Sequence, residues 1–355
     1  MTRIGEHQNY IWQKLKSASL PIVIYGMGNG CDKVLKACKT HHISVSGIFA
    51  SDDFVRAQRF HDFTVKTYNE LLSELGDFII IIAFSAFSPA LLERIKSLCL
   101  RHEVYAPDFS VFSDEYPTPS FMDENNLAIS RAYSLLSDDR SRQIFSILMK
   151  YKLTGKASLL FLCHDDAEAP FSSFMKLTEN ERYMDLGAYK GDTIDSFLRM
   201  TKGSFNVIHA FEPDPKNYAG LKKYSEELEY KNVFIHECAV SDHSGKTCFQ
   251  GLGGRASHMS SEGYPVSCLR LDDMPELNPT FIKMDVEGAE AKALLGATQT
   301  IARYRPKMQI SLYHNIGDFF SLPLLINDIY GGYKYRIRMN PYIPAWDVML
   351  YVTEE

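Results

Sequence analysis

"RYMDLGAYKGDTIDSF", residues 182–197, runs a short apolar strand into two spaced glycines and then directly into a helix start. A turn of this kind lets a ligand lie close to the backbone. Dinucleotides, phosphates and sulfonium cofactors all use strand–glycine–helix turns, so the neighbouring residues must decide among them. A dinucleotide fingerprint requires glycines at G-x-G-x-x-G, where backbone amides meet a pyrophosphate at the helix N-terminus. "LGAYKGDT" supplies Gly187 and Gly191 but puts Tyr189 where the middle glycine belongs. A side chain there obstructs a pyrophosphate, and the dinucleotide reading weakens.

S-adenosylmethionine carries no phosphate. It presents an amino-acid tail, a ribose diol, an adenine and a sulfonium. Asp185, just before the turn, can serve the ammonium, and Glu212, closing "NVIHAFEP", is the acidic residue at the next strand's end. That is the position from which a nucleoside-binding half-fold reads ribose hydroxyls. Two carboxylate oxygens match the two donors of a vicinal diol. Asp242 in "AVSDHSG" would accept from the adenine amine. Each residue also admits a bland role, Asp185 as a helix cap and Glu212 as a solvated strand end. Their occurrence together at successive strand ends favours binding.

"TFIKMDVEGAEAKALLGA", residues 280–297, is the most unusual segment. A central strand of a parallel sheet should be apolar on both faces. Here Lys283, Asp285 and Glu287 alternate and would share one face while the chain stays extended. Glu290 follows one turn into the helix. One account is a buried Lys283–Asp285 ion pair with acids near a helix N-terminus. The other sets these groups beside a reacting centre, because open α/β sheets bind ligands at strand carboxyl ends. His314 in "SLYHN" ends the next strand, so His314, Asp285 and Glu287 are candidate bases for deprotonating a hydroxyl. A carboxylate cluster can also hold Mg²⁺. Hydroxyl methylation needs no metal, and the expectation is a metal-free site.

Apolar residues form 45% and charged ones 23% of the 355-residue chain, as in globular proteins. The length suggests two domains. Net charge is −6 and no dense Lys/Arg run occurs, which disfavours nucleic acid. "MTRIGEHQNYIWQKLK" lacks a signal-peptide core, and "FIIIIAF" is too short to span a bilayer. Seven scattered cysteines without C-x-x-C suit reduced thiols, so a cytoplasmic protein is expected.

The first hundred residues alternate strands ("PIVIYG", "ISVSGIFAS", "DFIIIIAFS") with helices ("CDKVLKACKTH", "TYNELLSEL", "PALLERIKSLCL"), which implies a parallel sheet. The three prolines of "APDFSVFSDEYPTPS" mark a boundary, and Ile144, Ile147, Leu148 and Tyr151 recur at helix spacing after it. The expected organisation is a Rossmann-like domain over 1–110, a helical connector over 111–180 and a second α/β domain over 181–355. In the last, "YMDLGA", "NVIHAFEP", "VFIHECAV", "FIKMDV", "KMQISLYH", "YKYRIRM" and "DVMLYVT" read as strands. "KTCFQG" and "YPVSCLRL" read as an inserted hairpin around a Gly/Ser-rich tip.

"YMDLGAYKGDTIDSF", "HAFEPDPKNYAGLKKY", "LDDM", "FIKMDVEGAEAKALLGA", "PKMQISLYHNIGDFFSLP" and "WDVMLY" resemble, in order, the motifs of FkbM-type S-adenosylmethionine-dependent methyltransferases. The resemblance spans roughly residues 180–355. It implies a class I methyltransferase fold, a seven-stranded sheet with one antiparallel strand near its edge. It also implies O-methylation of a hydroxyl on a sugar, glycan precursor or secondary metabolite. Cofactor-binding roles carry onto Asp185, Gly187, Ala188, Gly191, Asp192, Thr193, Glu212, Asp214 and Asp242, and catalytic ones onto Lys283, Asp285, Glu287 and His314.

In the first domain "VIYGMGNGCDKVLKAC" offers Gly26, Gly28 and Gly30, with Cys31 where a third fingerprint glycine belongs and Asp52 and Asp53 after the second strand. It resembles small Rossmann-like domains of surface-glycan and nucleotide-sugar enzymes, implying a nucleotide-sugar site or a domain kept for packing. Two competing functions follow: a non-catalytic nucleotide-sugar sensor or scaffold, and an oxidoreductase using this turn. No catalytic Tyr–Lys pair is evident for the latter.

Overall fold

The computed structural model describes residues 10–56, 58–228, 230–251, 258–259 and 263–354. The chain divides into two compact units: Met1–Ser130 with Arg142–Asp165 and Met339–Asp347, and Arg131–Ser141 with Asp166–Arg338 and Val348–Glu355.

In the first unit, Ile22–Tyr25 (β1), Gly47–Phe49 (β2), Arg59–Phe60 (β3), Phe63–Lys66 (β4), Ile79–Ile82 (β5) and Val104–Tyr105 (β6) form a six-stranded sheet in the order β3-β4-β2-β1-β5-β6. All pairs are parallel except the β3–β4 hairpin. Every residue of β1 and β5 is buried, which is why these strands read as unbroken apolar runs. Ile11–Lys16 (α1), Asn29–Thr40 (α2), Tyr68–Leu75 (α3) and Pro89–Cys99 (α4) complete the pattern. Thr67 and Glu70 close a reciprocal capping box on α3, and Pro89 opens α4 at a position that needs no N–H. The β3–β4 hairpin and β6 were not expected. At two to four residues, none carries enough alternation to register as a strand.

Three helices follow in sequence, Pro119–Glu124 (α5), Asn126–Leu135 (α6) and Asp139–Thr154 (α7). Asp138 Oδ1 accepts from Ser141 N at 2.7 Å where α7 begins.

The second unit holds Arg182–Leu186 (β7), Val207–Phe211 (β8), Val233–His236 (β9), Ala239–Val240 (β10), Gly245–Gln250 (β11), His258–Met259 (β12), Tyr264–Leu269 (β13), Phe281–Met284 (β14), Lys307–Ser311 (β15), Lys334–Met339 (β16) and Val348–Thr353 (β17). Seven of these make one sheet in the order β16-β17-β15-β14-β7-β8-β9. The ladder from β15 through β9 is parallel and β17 is antiparallel to β15, next to the edge strand β16. This is the expected seven-stranded sheet with one antiparallel strand next to its edge. Its helices are Asp192–Met200 (α8), Pro215–Glu227 (α9), Glu290–Leu295 (α10), Thr298–Tyr304 (α11) and Asp318–Ile329 (α12). Tyr183, Phe197 and Phe281 stack in its core, with Tyr183 at 4.3 and 5.0 Å between ring centroids from the other two.

Two sequence expectations are corrected. "VFIHECAV" is not one strand: it breaks after His236, and Ala239–Val240 leave the main sheet to pair with β13. β14 stops at Met284, so Asp285 lies beyond its end, and Glu287 has φ +55 instead of extending the alternation. The expected hairpin is present as β11 antiparallel to β13 within a four-stranded sheet. Its Gly/Ser-rich tip lies largely outside the described residues. No helix among the described residues is long and apolar enough to cross a membrane, and no disulfide joins the cysteines.

At Gly187 the turn after β7 lies close against the backbone that follows β14. Gly187 has φ +86, and a Cβ built there would fall 1.9 Å from Asp285 O. Gly28, with φ +85, would meet nothing within 4 Å. Gly187→Ala is therefore expected to cost at least about 3 kcal/mol in denaturant unfolding, because backbone must move. Gly28→Ala should cost less, about 1–2 kcal/mol, the penalty of its φ +85, ψ −161 backbone alone. Equal losses would contradict the close approach.

Candidate functional site

The β14–β7 register sets Lys283 directly opposite Asp185. Both side chains are buried. Lys283 Nζ donates to Gly187 O at 3.2 Å and lies 3.5 Å from Asp185 Oδ1 and 3.8 Å from Asp285 Oδ2. Burial disfavours the ammonium, but the Asp185 and Asp285 carboxylates outweigh it and hold the lysine pKa above its ordinary value. Thr193, in the first turn of α8, donates its hydroxyl to Asp185 Oδ2. One buried cation thus joins the glycine turn after β7 to the end of β14.

The turn itself is held by β8. The amides of Gly187 and Ala188 both donate to Phe211 O at 3.0 Å, and Gly191 caps α8 with φ +99. Tyr189 adopts φ +49, and its N–H donates to Glu212 Oε2 at 2.9 Å. The other oxygen of Glu212 accepts from Asp214 N at 2.9 Å. Burial pushes the Glu212 carboxyl up to about 7, the Asp214 and Tyr189 amides opposing. Asp214 Oδ1 caps α9 through the amides of Lys216 and Asn217, and Oδ2 accepts from Tyr264 OH at 3.3 Å. Asp192 is exposed at the start of α8.

Asp242 stands apart. Its Oδ1 faces His243 Nδ1 at 2.8 Å and accepts from Ser241 Oγ at 3.1 Å. The His243 bond, more than any other contact, holds its carboxyl below the ordinary range. No hydrogen bond joins it to Glu212 or Asp185 among the described residues.

Beyond β14 the chemistry-bearing groups gather around His314, which follows β15. Its ring is fully buried. Nδ1 faces Glu290 Oε1 at 2.9 Å, while Nε2 lies 3.2 Å from Glu287 Oε2 and 3.5 Å from Asp285 Oδ1. Burial disfavours the imidazolium, yet Glu290, Glu287 and Asp285 reverse that and hold the histidine pKa well above its usual value. Asp285 Oδ1 accepts from Ser311 Oγ at 2.8 Å and Tyr313 OH at 3.3 Å. Burial opposes its charge, but Lys283, His314 and these hydroxyls hold its carboxyl below the ordinary range. Glu290 is the first residue of α10, not one turn inside it, and its Oε1 also accepts from Val286 N at 2.9 Å. Asp285 and Glu287 keep 24% and 26% of their side chains exposed, whereas Glu290 and His314 keep none.

Sequence reasoning missed Ser311, Tyr313 and Tyr264. Ser311 and Tyr313 are two residues apart, as same-face neighbours on an extended chain are. The β14–β15 register that sets Ser311 beside Asp285 is written in neither segment alone.

In the first unit, Gly26 and Gly30 have packing reasons to be glycine. A Cβ would meet the Phe84 ring at 2.5 Å and Ala83 O at 2.1 Å, respectively. Asp52 and Asp53 lie exposed in a 3-10 turn after β2.

Residues 185–337 match the family model described as the methyltransferase FkbM domain. No curated protein matches the chain. Among solved structures, methyltransferase FkbM from Methylobacillus flagellatus KT overlays with a TM-score of 0.70 at 20% identity, covering 95% of this chain and 91% of that one. The likeness shows the fold. Precorrin-6y C5,15-methyltransferase from Geobacter metallireducens GS-15 has a TM-score of 0.33 at 14% identity, covering 52% of this chain and 85% of that one. Aeropyrum pernix fibrillarin in complex with natively bound S-adenosyl-L-methionine has 0.33 at 15% identity, covering 53% and 73%. Neither of these two overlays carries weight at that score. The match to the methyltransferase FkbM domain, from Asp185 to Ile337, takes in both the glycine turn and the charged end of β14.

Proposed function

We propose that the second unit transfers a methyl group from S-adenosylmethionine to a hydroxyl of a sugar or glycan precursor. One observation carries the cofactor reading above others: the turn after β7 is flanked by two buried carboxylates, Asp185 and Glu212, and its middle position is filled by Tyr189. Acidic groups repel a diphosphate and attract a ligand bearing sulfonium and ammonium charges. Glu212, fixed by two backbone amides, keeps lone pairs for a diol. Asp185, buried against Lys283, suits the amino-acid end through its exposed neighbours.

Bound there, S-adenosylmethionine supplies an electrophilic methyl group, which passes to the acceptor oxygen as the carbon–sulfur bond breaks and the carbon–oxygen bond forms. The hydroxyl proton needs a receiver that the acceptor can touch. Asp285 and Glu287 are partly exposed and His314 is not. The two carboxylates are therefore assigned as proton acceptors, with His314 orienting them. Lys283 is assigned as a positioning residue, since its ammonium is spent on Gly187 O and two carboxylates.

Calorimetry with S-adenosylmethionine should register binding that Glu212→Ala weakens by about ten- to a hundredfold. Equal affinity in both proteins would remove the ribose assignment.

The pH dependence follows from Glu212, whose carboxyl rises from 4.5 to about 7 on folding. In the ligand-free protein its stabilising contribution is present below about 4.5 and is lost as pH rises to about 7. Diol binding uses the ionised form and runs the other way. Affinity should rise up to about tenfold per pH unit below about 7 and level off above it. Glu212→Gln should flatten the profile, and a profile unchanged in that variant would remove Glu212 from the titration.

Labelled-methyl uptake screened over sugars, nucleotide sugars and glycan fragments tests the reaction itself. Glu287→Gln and Asp285→Asn should each lower kcat by about 10²–10⁴ while leaving the KM for S-adenosylmethionine within about threefold. Full activity in both variants would move the proton transfer elsewhere.

A further inference from the structure

The cluster at the ends of β14 and β15 has more acid than its cations offset. Asp185, Asp285, Glu287, Glu290 and Asp318 lie within this network, against two cationic side chains, Lys283 and His314. Asp185, Glu290, Asp318, Lys283 and His314 are buried. Buried carboxylates in excess of their partners are costly to ionise. A second observation bears on the same cluster. Glu290 is fully buried, and its Oε2 has no hydrogen-bond partner among the described residues, although Oε1 is engaged twice.

The geometry also has a pattern. Asp285, Glu290 and His314 each offer a ligand atom within 4.8 Å of the others. Glu287 Oε2 and Asp285 Oδ1 lie 3.2 and 3.5 Å from His314 Nε2. Ligands held about 2.1 Å from one ion at tetrahedral or octahedral angles stand roughly 3.0–3.5 Å apart. On the far side of the ring, Glu290 Oε1 faces Nδ1 at 2.9 Å. A carboxylate accepting from Nδ1–H fixes the tautomer that leaves Nε2 as a lone-pair donor, the usual outer-shell arrangement of a metal-binding histidine.

We propose that His314 Nε2, Asp285 and Glu287 form a divalent-cation site, with Glu290 orienting the imidazole from Nδ1. One imidazole with carboxylates suits Mn²⁺ or Zn²⁺ better than Mg²⁺, which prefers an all-oxygen shell. Binding displaces the proton from Nε2. The ion's place in the chemistry rests on the methyl-transfer reading: bound beside the acceptor, it would lower the hydroxyl's pKa while a carboxylate or water takes the proton. The site itself stands without that reading.

The 355-residue protein, stripped with chelator, is titrated with Mn²⁺, read by loss of the free-ion paramagnetic resonance signal, with Zn²⁺ and Mg²⁺ as competitors. One equivalent should bind, Zn²⁺ should displace it and Mg²⁺ should compete at least tenfold more weakly. Glu287→Gln and His314→Gln should each weaken binding by tenfold or more, and Glu290→Gln by about tenfold, in proteins whose circular dichroism matches the parent. Glu287 is partly exposed, so its variant is the one expected to keep the fold. No saturable uptake of Mn²⁺ or Zn²⁺ up to millimolar ion would overturn the proposal, as would parent-like binding in folded Glu287→Gln. S-adenosylmethionine is titrated into the same samples. Ion uptake without cofactor binding would support the site and sink the methyl-transfer reading, so the two failures are separable.

Discussion

The second unit depends on where Lys283 keeps its charge. An ammonium buried beside the central strands has to find acceptors or lose its proton. It finds Asp185 across the ladder, Asp285 past the end of its own strand, and Gly187 O on the turn between strand and helix. These contacts tie two different chain segments into one floor. The glycine turn cannot drift from the end of β14 without stranding a charge, and Gly187 leaves no room for a side chain between them. Removing one partner from such a pair costs more than never having built it.

The same logic runs outward. Asp285 belongs both to Lys283 and to the hydroxyls of Ser311 and Tyr313, and it also faces His314. His314 passes the chain of contacts to Glu290 at the start of α10. Groups with two alternative partners polarise one another. The outermost members, Asp285 and Glu287, are the ones that reach solvent. Rigid buried charge underneath and partly exposed charge above is what a reacting centre needs. Such layering fixes partly exposed oxygens on top of a buried charge network.

Much of this was legible in the sequence, for physical reasons that differ by element. β1 and β5 are buried on both faces, so their apolar runs announce them. Charges at 283, 285 and 287 stand out because a central strand should not contain them. Tyr189 in place of a glycine was informative for the same reason, as a residue that contradicts one ligand. What was not legible depends on register or on single dihedral angles. Nothing local says that Ser311 meets Asp285, or that Glu287 turns left-handed before Gly288 and so reaches His314 by a turn instead of by strand alternation. Glu237 and Cys238 interrupt "VFIHECAV" without any proline or glycine to mark the break. The short strands β3 and β6 are formed by neighbours more than by their own residues.

The glycines of the two units illustrate how little a shared spacing means. Both turns follow a first strand and open a helix. In the first unit, Gly26 and Gly30 are explained by Phe84 and by the carbonyl of Ala83, so packing alone accounts for two of the three. In the second, Gly187 is likewise pressed against a carbonyl, that of Asp285. The difference lies in what surrounds them. After β7 the next strand ends in a buried carboxylate held by the turn's own amide, whereas after β1 the corresponding acids, Asp52 and Asp53, sit exposed in a 3-10 turn. A glycine reports that backbone comes close to something. The charge beside it says whether that something is the protein or a ligand.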